Sequence, residues 1–170
     1  ALLKNTVKFT ITLQDGRKME GELYPDLAPV TVDNFIKLCN ENFYNGLIFH
    51  RVIDGFMIQG GGYDKDFNLK DTGKSIIGEF YANGISNALV HDKGVLSMAR
   101  TNEPNSATSQ FFIMDEKSPH LDGQYAAFGK ITKGLDVVDA ISQVETSTND
   151  QGHSDVPVKP IIIKSIKIKK

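Results

Sequence analysis

The stretch FHRVIDGFMIQGGG, Phe49 through Gly62, sets one arginine among aromatic and apolar residues and ends in three consecutive glycines. With the residues just before it, from Gly46 to Gly62, it reads as two short strands broken by a turn at Asp54-Gly55, with Met57 and Gln59 sharing one face of the second strand. Arg51 does not suit an ordinary buried strand, because an unpaired buried guanidinium costs roughly several kcal/mol. The arginine is therefore paired, exposed, or turned toward a ligand. Alternation puts His50 on the face opposite Arg51, which favours a structural role over that of a general base.

Upstream, Val7, Phe9, Ile11 and Leu13 alternate with Lys8, Thr10 and Thr12, the period of a half-buried strand. Asp15-Gly16 supplies a hairpin turn, and Met19, Gly21 and Leu23 resume the alternation. Pro29 suits a first helical turn, and Val32, Phe35, Ile36 and Cys39 follow on one helical face. Cys39 on that face reads as a small core residue.

Downstream, residues 65–87 are rich in Gly, Asn, Asp and Lys and weak in period, so they read as a long ordered loop. Short strands are expected in VLSMA, QFFIM and over 126–131. A second helix follows Gly134, with Val137, Ala140, Ile141 and Val144 on one face and Asp136, Asp139 and Ser142 off it. TSTNDQGHSDVP reads as a loop and PIIIKSIKIKK as a closing strand. Many short strands and two well-separated helices, without repeating βαβ units, point to a mainly β fold: a barrel or sandwich, most naturally a closed antiparallel sheet with a helix at each open end.

The chain has 170 residues and a mass of 18.8 kDa, which fits one domain over residues 1–170 because no linker interrupts it. A net charge of −2 gives no electrostatic reason to propose nucleic acid or an anionic membrane surface as a partner. The lone Cys39 cannot form an internal disulfide and has no zinc-ligand spacing with His50, His91, His120 or His153. A reducing, cytoplasmic setting is the expectation, and the apolar run at the N-terminus is short for a signal peptide. His91, His120 and His153 lie in loop-like context and read as solvated.

Most familiar catalytic devices are missing: there is no GxSxG, Walker A, HExxH or CxxC. The glycines Gly60 to Gly62 could cradle a phosphate, but they open no helix, so close backbone packing is the better reading. QFFIM is more informative. Period two puts Phe111 and Ile113 on a core face and Gln110 and Phe112 on the other, the same pairing of amide and apolar side chain that Met57 and Gln59 make. One reading is a barrel exterior with incidental glutamines. The other is a shallow apolar groove with amide hydrogen-bonders and one arginine, suited to an extended peptide.

Three segments carry a family resemblance: FHRVIDGFMIQGGG, SMAR followed by PNSATSQFFI, and LDGQYAAFGKI. Together with VKFTITL, the APVTVDNF helix and the closing strand, in order over nearly the whole chain, they resemble the cyclophilin-type peptidyl-prolyl cis-trans isomerases, in a bacterial-like form. The resemblance implies a closed antiparallel β-barrel of about eight strands capped by two α-helices. It implies an enzyme that accelerates X-Pro bond rotation in peptides and folding proteins, without metal or cofactor, and a monomer is expected. The alternative is a proline-peptide binding or scaffold module with negligible turnover.

Carried over by position, the resemblance implies that Arg51 is the catalytic arginine, oriented by Gln59. It places Phe56, Met57, Phe112 and Leu121 around a proline pocket, gives Gln110 an amide contact, and assigns Ala99 and Arg100 to the segment whose backbone pairs with substrate. His120 stands where many members carry tryptophan, and Tyr125 where many carry histidine; both are expected at the substrate site. Loss of the tryptophan removes an apolar wall and an indole donor, which counts against tight cyclosporin binding.

Overall fold

The computed structural model describes residues 5–169; expectations touching residues 1–4 and 170 lie outside the described residues. Among the described residues ten strands form: β1 (Val7–Leu13), β2 (Lys18–Leu23), β3 (Arg51–Ile53), β4 (Met57–Gly60), β5 (Val95–Met98), β6 (Phe111–Met114), β7 (Ala127–Lys133), β8 (Thr146–Ser147), β9 (Val156–Pro157) and β10 (Ile163–Lys169). Two helices, α1 (Pro29–Asn40) and α2 (Leu135–Ser142), complete the frame. Eight strands make one antiparallel sheet in the order β10-β1-β2-β7-β5-β6-β4-β3, and β8 pairs with β9 separately.

The sheet curls into a half-barrel, and the expected closed barrel is corrected: its edge strands, β10 and β3, do not pair with each other. The reason lies in the backbone bonds. The Val52 N–H on β3 donates to the Asp155 carbonyl at 2.9 Å, so the β8–β9 segment occupies that edge. The two ends of the sheet meet through the irregular segment preceding β3, where Phe49 N–H donates to Ile161 O at 3.0 Å, Ile48 bridges Ile162, and Ile163 at the start of β10 accepts from Gly46 N–H and donates to the Leu47 carbonyl, both at 2.8 Å. Three residues of β3 leave too few donors for both neighbours.

The concave face carries the core. Phe9, Ile11, Leu13, Met19 and Leu23 are buried from the first hairpin, whose turn takes Gly16 to φ +94°, a conformation open to glycine. α1 starts with Pro29 at its first position and seats Val32, Phe35, Leu38 and Cys39 in that core. Phe35 touches Phe9, Tyr44, Phe111 and Phe128 at ring-centre distances of 5.2–6.0 Å. Burial drives the Cys39 thiol far above its ordinary pKa, which keeps it unreactive.

α2 departs from expectation in phase. Val137, Val138, Ile141 and Ser142 are buried and Ala140 is exposed. Ser142 tolerates burial because its Oγ donates to the Asp139 carbonyl at 2.7 Å. The segment expected to be a plain loop holds the β8–β9 pair, and residues 65–87 contain one short 3-10 turn, Tyr81–Asn83.

Candidate active site

Strand register builds the site. Arg51 on β3 lies opposite Gln59 on β4, Gln59 opposite Phe112 on β6, and Phe112 opposite Ser97 on β5. Directly opposed residues point to the same face, so Arg51, Gln59, Phe112 and Ser97 form one row across the convex surface. Flanking that row, Met57, Val95, Phe112, Met114, Leu121 and Ala127 make a second apolar cluster, separate from the main core. Their neighbours Ile58, Leu96, Phe111 and Ile113 face inward into the main core.

On this cluster lies a cavity of about 200 Å³. Met57, Phe112 and Leu121 form its apolar floor, with Phe56 and Tyr125 as walls. Arg51, Gln59, Ala99 and Arg100 complete the lining. An adjoining cavity of about 190 Å³ shares Gln59, Ala99 and Arg100 and adds Thr101, Ser106, Thr108 and Gln110. All the expected site residues thus meet at the first cavity except two. Gln110 belongs to the second cavity, and His120 lines neither: its exposed ring stacks on Phe56 with centres 6.0 Å apart.

Arg51 is half-buried and donates through Nη1 to Gln59 Oε1 at 3.3 Å. Gln59 Nε2 in turn donates to Gln110 Oε1 at 3.1 Å, so each amide fixes the orientation of the next group. Among the described residues no carboxylate pairs with Arg51, which leaves its charge available to a ligand. The three glycines serve this chain by close packing. A Cβ on Gly60 would lie 2.6 Å from the Ile48 carbonyl, and one on Gly62 would lie 2.5 Å from Gln110 Nε2.

The turn bearing Phe56 is held from below. Gly55 N–H donates to Asp115 Oδ2 at 2.8 Å, and Asp115 N–H donates to the Phe56 carbonyl at 2.9 Å. Arg100 lines both cavities, and its N–H makes no hydrogen bond within the described residues. The Ala99 N–H is already committed to the Gln110 carbonyl at 3.0 Å.

His91 corrects the expectation of a solvated side chain: it is 1% exposed. Its Nδ1 lies 3.0 Å from Asp122 Oδ1 and its Nε2 2.8 Å from Ser97 Oγ, and its ring stacks beneath Phe112 with centres 6.0 Å apart. Burial lowers its pKa, against the opposing pull of Asp122. No local signal marks His91, because its partner Asp122 lies far along the chain. Ser97 was open to detection, since alternation in VLSMA puts it on the face of Ala99. His50 is buried against Tyr63, with ring centres 4.8 Å apart, and burial together with His153 and Arg51 pushes its pKa down to about 4.

Residues 5–168 match the family described as cyclophilin type peptidyl-prolyl cis-trans isomerase/CLD. The chain belongs to the cyclophilin-type peptidyl-prolyl cis-trans isomerases. This cyclophilin is 50% identical to peptidyl-prolyl cis-trans isomerase A of Dickeya dadantii, over 99% of the chain and 88% of the relative. It is 42% identical to peptidyl-prolyl cis-trans isomerase B of Escherichia coli, over 85% of the chain and 90% of the relative. Among solved structures, a Cryptosporidium parvum cyclophilin type isomerase aligns with a TM-score of 0.78 at 30% identity, covering 97% of this chain and 98% of that one. The same Cryptosporidium parvum isomerase, solved in the presence of the dipeptide Ala-Pro, aligns at 0.77 with 31% identity over 96% of this chain and 99% of that one.

Proposed function

We propose that this cyclophilin accelerates X-Pro rotation by electrostatic stabilisation of the twisted amide, with Arg51 as the donor and Gln59 as the group that orients it. An X-Pro bond isomerises slowly because amide resonance imposes a barrier of about 18–20 kcal/mol. Twisting abolishes that resonance and localises a lone pair on the prolyl nitrogen. Millisecond turnover requires roughly four decades of acceleration, about 5.5 kcal/mol, and no bond to the substrate need form. A guanidinium that donates to the twisted form better than to either planar isomer supplies stabilisation of that kind.

The observation that carries this reading is the row of Arg51, Gln59 and Phe112 beside an apolar cavity. Phe112, Met57 and Leu121 offer the proline ring a surface that excludes water, and a donor at the edge of such a surface is worth more than in bulk solvent. The Arg100 N–H supports the expected pairing of this segment with the peptide main chain. A protease-coupled assay on an Ala-Pro peptide tests the mechanism. Native protein speeds isomerisation, and Arg51→Lys loses at least about tenfold in kcat/KM because an ammonium lacks the planar fork. Native-like activity in Arg51→Lys contradicts the role given to the guanidinium.

We take the chain as one domain, consistent with the eight-stranded sheet that draws on both halves of the sequence and the main core on its concave face. We place it in the cytoplasm on the strength of its lone, buried Cys39, which fractionation of the source cells tests. Weak cyclosporin binding follows from the exposed imidazole of His120 on Phe56, and calorimetric titration measures it. A monomer is expected, and sedimentation checks that.

A further inference from the structure

Arg100 stands at the junction of the two cavities and lines both. Its side chain is engaged on every side. Nε and Nη2 both donate to the Gln124 carbonyl, at 3.1 and 2.6 Å, and Nη1 donates to the Thr101 carbonyl at 2.9 Å. The guanidinium carbon lies over the rings of Phe80 and Tyr125, 4.7 Å from each centre. Phe80 is buried in the main core, whereas Tyr125 is a wall of the proline cavity and packs edge-on against Phe112 with centres 5.6 Å apart. No carboxylate among the described residues neutralises Arg100.

We propose that the Arg100 side chain is a positioning residue, a strut that fixes the distance between the Tyr125 wall and the Ala99–Ser106 lip and thereby sets how tightly an X-Pro peptide is held. The proposal rests on the groove being the substrate site, as read above. The physical argument is one of shape. Three hydrogen bonds in one plane and ring contacts with that plane define a single orientation, which only a rigid, planar, five-donor group can satisfy together. Through Gln124 the strut ties the segment leading to Tyr125, and through Thr101 it ties the lip. Its own N–H belongs to the lip, so a displaced side chain turns away the backbone group expected to pair with substrate. Arg51 acts on the twisted amide, whereas Arg100 acts on the ground-state grip, so the two separate in kcat and KM.

Arg100→Lys, Arg100→Met and Arg51→Ala, assayed beside native protein on an Ala-Pro peptide, test this. Both Arg100 variants raise KM by roughly tenfold and leave kcat within about twofold of native. A lysine that restores the native KM assigns the effect to charge and overturns the strut. A lowered Tm with native KM in both variants shows that the side chain only supports the fold, which also overturns it. In the native protein, NMR of the Arg100 guanidinium resolves separate Nη signals from hindered rotation; free rotation overturns the proposal even if neither variant folds. Arg51→Ala keeps native KM and loses kcat, and if it is as fast as native the reading of Arg51 fails while the result for Arg100 stands on KM.

Discussion

Arg51, Gln59 and Phe112 share a face because antiparallel register opposes them directly, and that face was readable from the period-two pattern of FMIQ and QFFIM. The glutamine chain was half readable: alternation placed Gln59 and Gln110 outward, but their bond at 3.1 Å depends on how β4 and β6 pair. Gly62 ties the chain to its surroundings. A Cβ there would lie 2.5–2.6 Å from three atoms of the Gln110 side chain, so Gly62→Ala displaces the amide that holds Gln59. We expect roughly a tenfold loss of kcat/KM in the isomerase assay with Tm lowered by only a few degrees. An unchanged rate in a folded variant shows that the amide relay does not orient Arg51. The burial of His91 is not legible in the sequence for a physical reason: it depends on Asp122 and Ser97, contacts that no local pattern encodes.

The turn between β3 and β4 carries Phe56, and its geometry comes from Asp115 at the end of β6 rather than from its own residues. Asp115→Ala removes the acceptor of the part-buried hydrogen bond from Gly55 N–H, at a cost of about 0.5–1.5 kcal/mol in chemical unfolding. The same variant loosens Phe56, so the peptide KM rises while kcat changes little. A native KM places Phe56 outside substrate recognition. Among the larger elements, the first hairpin and α1 were legible because each buries one regular face. α2 was legible as a helix but not in phase, because Ser142 satisfies its hydroxyl locally and can be buried like an apolar residue. The β8–β9 pair was hidden, since two-residue strands have no period to detect.

At the scale of the molecule, the mainly β class followed from the pattern and the eight strands of the main sheet from the family resemblance, whereas closure did not hold, because the backbone donor at the β3 edge goes to Asp155 instead of β10. The burial of two histidines has a consequence for stability. His50 falls from an ordinary 6.5 to about 4, chiefly by burial, and His91 is lowered for the same first reason. The unfolded chain therefore takes up protons more readily, and the stability these residues carry is whole above pH 6.5 and lost as pH falls toward 4. His50 alone accounts for about 2 kcal/mol between pH 7 and 5, at about 1.4 kcal/mol per unit. Urea unfolding at the two pH values measures this, and a His50→Gln variant shows a flatter slope; equal slopes remove His50 from the account. The whole frame serves one claim, that Arg51 favours the twisted amide over the bound planar forms. NMR exchange spectroscopy on a saturated Ala-Pro peptide reads that claim directly, as the rate between bound cis and bound trans. Arg51→Ala is predicted to bind the peptide within about threefold of native while the bound exchange rate falls by at least roughly a hundredfold; a variant that exchanges as fast as native contradicts the account.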